Sequence, residues 1–109
     1  MSETDVVLAV TTFATAEQAE TAVRALVDQR LVACGTLLPG ARSVYRWQGA
    51  TEAADEVVVL LKTTQARVAA LKAALPTVHP YEVPELLVLP IADGLPPYLA
   101  WVAAAVEPP

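Results

Sequence analysis

The stretch RSVYRWQGATEAADEVVVLLKTT, Arg42–Thr64, decides the architecture. Its first part, Arg42–Gln48, alternates strongly, which is the period of a β-strand. Gly49-Ala50 is a Gly-X pair suited to a two-residue II′ hairpin turn. The chain then returns through Thr51–Thr63 and closes on Val57–Leu61, an apolar run of strand length. A hairpin this long is expected to project beyond the body of a domain of 109 residues.

Just upstream, Ala33–Gln48 as a whole reads as one strand interrupted at Pro39-Gly40, where proline and glycine imply a bend or bulge. Before it, Asp5–Thr11 is a buried strand. Thr15-Ala-Glu-Gln18 matches a capping box, with Thr at the N-cap and Gln at N3. The helix that follows places Ala19, Val23, Leu26 and Val27 on one face, and Arg30 closes its last turn. Downstream, Thr63-Thr64 is expected to cap a second helix with the stripe Val68, Leu71 and Leu75, which Pro76 should end or distort. Leu86–Leu89 is predicted to be a short, fully buried strand stopped by Pro90. Pro96-Pro97 suits a helix start, and Tyr98–Val106 forms a terminal helix. The order strand, helix, strand, strand, helix, strand, small helix is α+β. It predicts a ferredoxin-like βαββαβ sandwich, a four-stranded sheet with two helices on one face, as a single domain over residues 1–109.

Composition narrows the function classes. The chain is 55% hydrophobic and only 17% charged, and its mean hydropathy is +0.46. No apolar run reaches the ~18 residues of a membrane span. Net charge is −5, and no basic patch is present for nucleic acid or anionic lipid. The acidic N-terminus MSETDVVLAV lacks a basic leader, and Cys34 is the one cysteine; both predict a cytoplasmic protein. So few charges on a small domain leave apolar area facing outward, which predicts an obligate oligomer.

Chemistry concentrates in VHPYEVPELLVLP, Val78–Pro90, which holds the single histidine, His79. One histidine does not make a metal site, which commonly needs three or four ligands. Within one chain the further ligand candidates are Cys34, Glu82, Glu85 and Asp93, and an oligomer multiplies them. The residues alone leave His79 open between a ligand and a hydrogen-bonded turn residue. Tyr45 and Trp47 share a face of the projecting hairpin, two residues apart, and with Tyr81 and Trp101 they suit an interface. Lys62 is expected to meet Glu82 or Glu85 if their strands are neighbours, making a polar pocket with Tyr81. Nucleotide loops, CxxC, HExxH and nucleophile motifs are absent, and no enzymatic activity is expected; the remaining enzymatic alternative is acid–base work in a pocket of Lys62, Tyr81, Glu82 and Glu85.

These segments resemble one family. RLVACGTLLPG (Arg30–Gly40), SVYRWQG (Ser43–Gly49), VVVLLKTT (Val57–Thr64), HPYEVPELLVLP (His79–Pro90) and PPYLAW (Pro96–Trp101) are similar to the CutA divalent-cation tolerance proteins, in order and spacing. The resemblance implies a homotrimer of ferredoxin-like domains, assembled like the PII signalling proteins, with the hairpin reaching a neighbour. It implies a role in tolerance of divalent metal ions, with copper bound at low affinity and no required cofactor. Copper-binding members carry a cysteine near the first strand and two adjacent histidines. Here Thr11 and Val78-His79 stand in those places, which leaves His79, with Glu82 nearby, as the implied metal residue. Read from the residues themselves, Tyr45, Trp47, Lys62, Tyr81, Glu82, Glu85 and Trp101 are the expected intersubunit pocket and interface residues. The alternative is a PII-like signalling or structural trimer holding an unidentified small ligand in its clefts.

Overall fold

The computed structural model describes residues 5–109. The acidic character of the first four residues, used above to argue location, lies outside the described residues. The elements are β1 (Val6–Phe13), α1 (Ala16–Asp28), β2 (Cys34–Trp47), β3 (Ala50–Thr64), a 3-10 turn (Gln65–Arg67), α2 (Val68–Val78), β4 (Leu87–Pro90) and α3 (Pro96–Ala105). The four strands form one sheet in the order β2-β3-β1-β4, and every pairing is antiparallel. The mixed α+β class and the element order are therefore those expected from the sequence.

Local chemistry explains most boundaries. Thr15 takes an extended N-cap conformation and its Oγ1 accepts the N–H of Gln18, satisfying one of the free donors at the start of α1. The end of α1 differs from expectation. The helix stops at Asp28, and Arg30 lies beyond it with φ +58°. Arg30 N–H donates to Val27 O and Leu31 N–H to Leu26 O, which is a Schellman closure with arginine where glycine is usual. Leu26 and Leu31 both join the core, and that apolar contact across the cap holds the left-handed residue in place. Val27 turns outward, and Ala22 takes the buried position instead.

The hairpin turn is also shifted. Trp47 pairs with Ala50, so the two loop residues are Gln48 and Gly49 rather than Gly49 and Ala50. Both have positive φ, +49° and +83°, as a type I′ turn requires. The register step between Leu38 and Ala41 places one extra residue in β2 at Pro39-Gly40, the bulge that these residues implied. Residues beyond Glu56 toward the tip pair only with each other, because β1 ends where Phe13 meets Val57. The long extent of the molecule, 44 Å against 27 and 23 Å, follows from this projection.

One face of the sheet carries α1 and α2. Ala9, Phe13, Val57, Val59 and Leu61 pack there against Ala19, Leu26, Leu71 and Leu75. Burying each large side chain contributes about 1.5–3 kcal/mol. Gly35 permits the close approach of α1, since a Cβ there would lie 2.8 Å from Val23 Cγ1. Thr63 is buried and donates to Leu31 O rather than capping a helix, and Thr64 makes no side-chain cap. Val68 is only half-buried. Pro76 does not end α2, which runs on to Val78. It stands on the exposed side above exposed Lys72, so the carbonyl it leaves without a helical donor faces water.

The other face is covered at one end by α3, through Val6, Ala33, Val102 and Val106. The rest is open. Leu8, Val10, Val58 and Leu60 are half-buried, and Leu38, Leu87 and Leu89 are 46%, 58% and 44% exposed. The expectation of a fully buried fourth strand is thus corrected. β4 is an edge strand paired with β1, and its leucines at 87 and 89 point to the part of this face that α3 leaves open.

Candidate functional site

The bulge at Pro39-Gly40 positions the site. Because of the extra residue, Leu38 and Ala41 oppose Val58 and Glu56 in turn, so Ser43, Tyr45 and Trp47 fall on the same open face as Glu56. Tyr45 lies opposite Glu52 and Ser43 opposite Ala54. A cleft of about 500 Å³ opens where the hairpin leaves the sheet, lined by these residues and by Thr12, Tyr81, Glu82, Val83 and Glu85.

The segment after α2 closes the cleft. His79 is extended, as a residue before proline prefers, and its ring is buried against Phe13, stacked at 4.1 Å and 17°. Nε2 lies 2.7 Å from Thr12 O, and Nδ1 lies 3.1 Å from the Tyr81 backbone nitrogen. A carbonyl only accepts and an amide N–H only donates, so Nε2 carries the hydrogen and Nδ1 the lone pair. The imidazole is therefore a neutral peg joining the end of β1 to the Tyr81 loop. From there Tyr81 donates its hydroxyl to Glu56 Oε2 at 2.7 Å.

Partial burial pushes the Glu56 carboxyl upward, but hydrogen bonds from Ser43, Tyr81 and Thr12 outweigh it and hold the group below its ordinary value. The Tyr81 phenol is raised well above its usual range, by burial first and then by Glu56. Glu56 is thus a fixed anion and Tyr81 a fixed donor.

Of the residues singled out in the sequence, Tyr45, Trp47, Tyr81, Glu82 and Glu85 come together here. Lys62 and Trp101 do not. Lys62 was expected to meet Glu82 or Glu85, but β1 separates β3 from β4. Lys62 also sits six residues along β3 from Glu56, about 20 Å at strand rise. Its Nζ donates to Thr36 Oγ1 at 2.7 Å and to Leu60 O at 3.3 Å. Trp101 packs on Tyr98 in α3, and the Tyr98 hydroxyl lies 3.6 Å from Cys34 Sγ, beside Lys62 in register. These four form a separate group at the other end of the sheet. Asp93 accepts from Gly94 N–H in the loop before α3.

Glu52, Glu56, Thr12 and Ser43 were not anticipated. The period-two spacing of Glu52, Ala54 and Glu56 opposite the aromatic strand is the signal that marks the first two.

A metal fits poorly within one chain. Among the described residues no three His, Cys, Asp or Glu side chains stand together to hold an ion. Both His79 nitrogens are already engaged, and a ligand bond through either would break a backbone contact.

Comparison with known proteins gives a consistent set of matches. A family profile described as CutA1 divalent ion tolerance protein matches residues 7–105. The divalent-cation tolerance protein CutA of Thermus thermophilus is 45% identical over 86 residues, covering 79% of this chain and 84% of the relative. The mouse protein CutA is 45% identical over 84 residues, covering 77% of this chain but 48% of the mouse protein, so the chain matches about half of that relative's length. The crystal structure of CutA from Xylella fastidiosa superposes with a TM-score of 0.92 at 41% identity, covering 95% of this chain and all of the other.

Proposed function

The chain belongs to the CutA1 divalent ion tolerance family, and from that premise we propose that it acts as a cytoplasmic homotrimer of single ferredoxin-like domains in tolerance of divalent metal ions, copper among them. The observation that supports the assembly is the open sheet face. Leu38, Leu87 and Leu89 are each more than two-fifths exposed, beside half-buried Leu8, Val10, Val58 and Leu60. Apolar area of this kind on so small a domain calls for a partner, and in a closed three-fold ring each copy covers part of its neighbour's face head to tail. The unpaired flanks of the hairpin offer strand edges to a neighbour.

Copper or another divalent cation, in this reading, meets the assembly rather than one chain, because His79 and Glu82 alone supply too few ligands. Low affinity follows from that shortage. No catalysis is assigned. Without Lys62 the cleft has, among the described residues, no amine to act as base or nucleophile. Light scattering during size-exclusion chromatography tests the assembly. The expected mass is three times the 11.5 kDa of one chain, and a concentration-independent monomer would overturn it. A strain lacking the protein should grow less well at raised copper and recover with the gene restored; equal growth would remove the tolerance role.

A second reading is favoured by the cleft itself. A trimer that binds a small ligand beside Tyr45, Trp47 and Tyr81 would act as a PII-like sensor or scaffold, with metal tolerance as its downstream effect.

A further inference from the structure

We propose that the cleft between the hairpin and the Tyr81 loop binds a small organic cation with a methylated ammonium head, of the class to which choline belongs. This rests on the second reading above, that the cleft is a ligand site, and names the chemistry of that ligand.

Two independent features converge on it. The walls are aromatic, with Tyr45 and Trp47 on one side and Tyr81 on the other. Aromatic faces carry negative quadrupole density and attract a cation within about 6 Å of the ring centre. The second feature is charge. Four glutamates, at positions 52, 56, 82 and 85, line the cleft, and no lysine or arginine does so among the described residues. Glu56 is also preorganised, because Tyr81 and the end of β1 hold it in one place through the His79 peg.

The same geometry excludes the other ligand classes. An anion would meet uncompensated carboxylates. A neutral apolar molecule would strip water from them without replacing it. A bare divalent ion needs several oxygens converging at about 2.0–2.6 Å, and no three acidic or imidazole groups converge among the described residues. An ammonium with its charge spread over methyl groups needs no such convergence. It takes up carboxylates at longer range and buries its methyls on the rings. At about 500 Å³ the cleft has the volume of a small-molecule site.

Titration calorimetry on the full chain tests this with two probes, choline chloride and 3,3-dimethylbutan-1-ol, which replaces the charged nitrogen by carbon at nearly constant shape. Choline should bind at least about tenfold more tightly than the alcohol. Trp47→Ala and Glu56→Gln should each weaken choline at least severalfold, while Trp101→Ala, at the far end of the sheet, should leave it unchanged. Glu56→Gln keeps the side-chain shape and an acceptor for Tyr81, so it carries the test if Trp47→Ala fails to fold. Equal affinity for the two probes, binding of neither, or undiminished choline binding by Glu56→Gln would overturn the proposal. Light scattering on the same samples separates the two levels. A trimer without choline binding removes the ligand class alone, and a choline-binding monomer removes the assembly alone.

Discussion

The Tyr81 hydroxyl and the Glu56 carboxylate meet at 2.7 Å across 25 residues of sequence. This bond ties the segment after α2 to the base of the hairpin. It fixes the Tyr81 loop as one wall of the cleft, and it couples an ionisable group to the position of an aromatic ring. The phenol holds its proton because it is partly buried and because ionising it would set two anions side by side.

Removing the phenolic donor should move the Glu56 titration upward. The Glu56 carboxyl lies below the ordinary value of 4.5, so its interactions stabilise the fold fully above the usual glutamate range. That stability is lost as pH falls through the lower, folded-state value. Tyr81→Phe should raise the folded-state value toward 4.5 and shrink this acid-dependent loss. Carbon-13 detected NMR titration of the Glu56 carboxyl, with acid unfolding curves of both proteins, checks it. An unmoved Glu56 titration would show that Ser43 and Thr12 alone hold the carboxylate.

His79→Ala should destabilise the protein by about 2–4 kcal/mol. The substitution leaves the buried Thr12 carbonyl without its donor, frees the Tyr81 N–H and opens space beside Phe13. His79→Phe restores the ring against Phe13 but neither hydrogen bond, and it should recover only part of the loss. Urea unfolding of the three proteins separates packing from hydrogen bonding.

Gly35→Ala should lower stability by about 1–3 kcal/mol, the usual cost of overpacking. The added methyl would fall 2.8 Å from Val23 Cγ1 and 3.0 Å from Leu61 Cδ2, and the β-branched Val23 has little freedom to turn aside. Thermal unfolding reads the change directly. Gly35→Ala combined with Val23→Ala should recover much of the loss.

Thr11→Val should be neutral or stabilising by about 1 kcal/mol. Thr11 is fully buried and its Oγ1 has no hydrogen-bond partner. Valine fills the same volume in a strand without desolvating a hydroxyl. Chemical denaturation of the two proteins measures the difference, and a clear destabilisation would reveal a partner for that hydroxyl.

The amino-acid sequence by itself determined the succession of elements, because helix and strand periodicity, the Thr15 cap and the Pro39-Gly40 interruption act over a few neighbouring residues. It also carried the family likeness and brought Tyr45, Trp47, Lys62, Tyr81, Glu82, Glu85 and Trp101 forward as one group, from which the fold separates Lys62 and Trp101. Only the tertiary structure decided which of these face one another. The one-residue bulge in β2 turns Tyr45 and Trp47 onto the face of Glu56, whereas unbroken alternation from Leu38 would have put Arg42, Val44 and Arg46 there. Strand order then removed Lys62 from the glutamates by inserting β1 between β3 and β4. The hydrogen bonding of the His79 ring was likewise set by a carbonyl 67 residues away. Each of these outcomes depends on register and on long-range pairing, which periodicity along the chain does not encode.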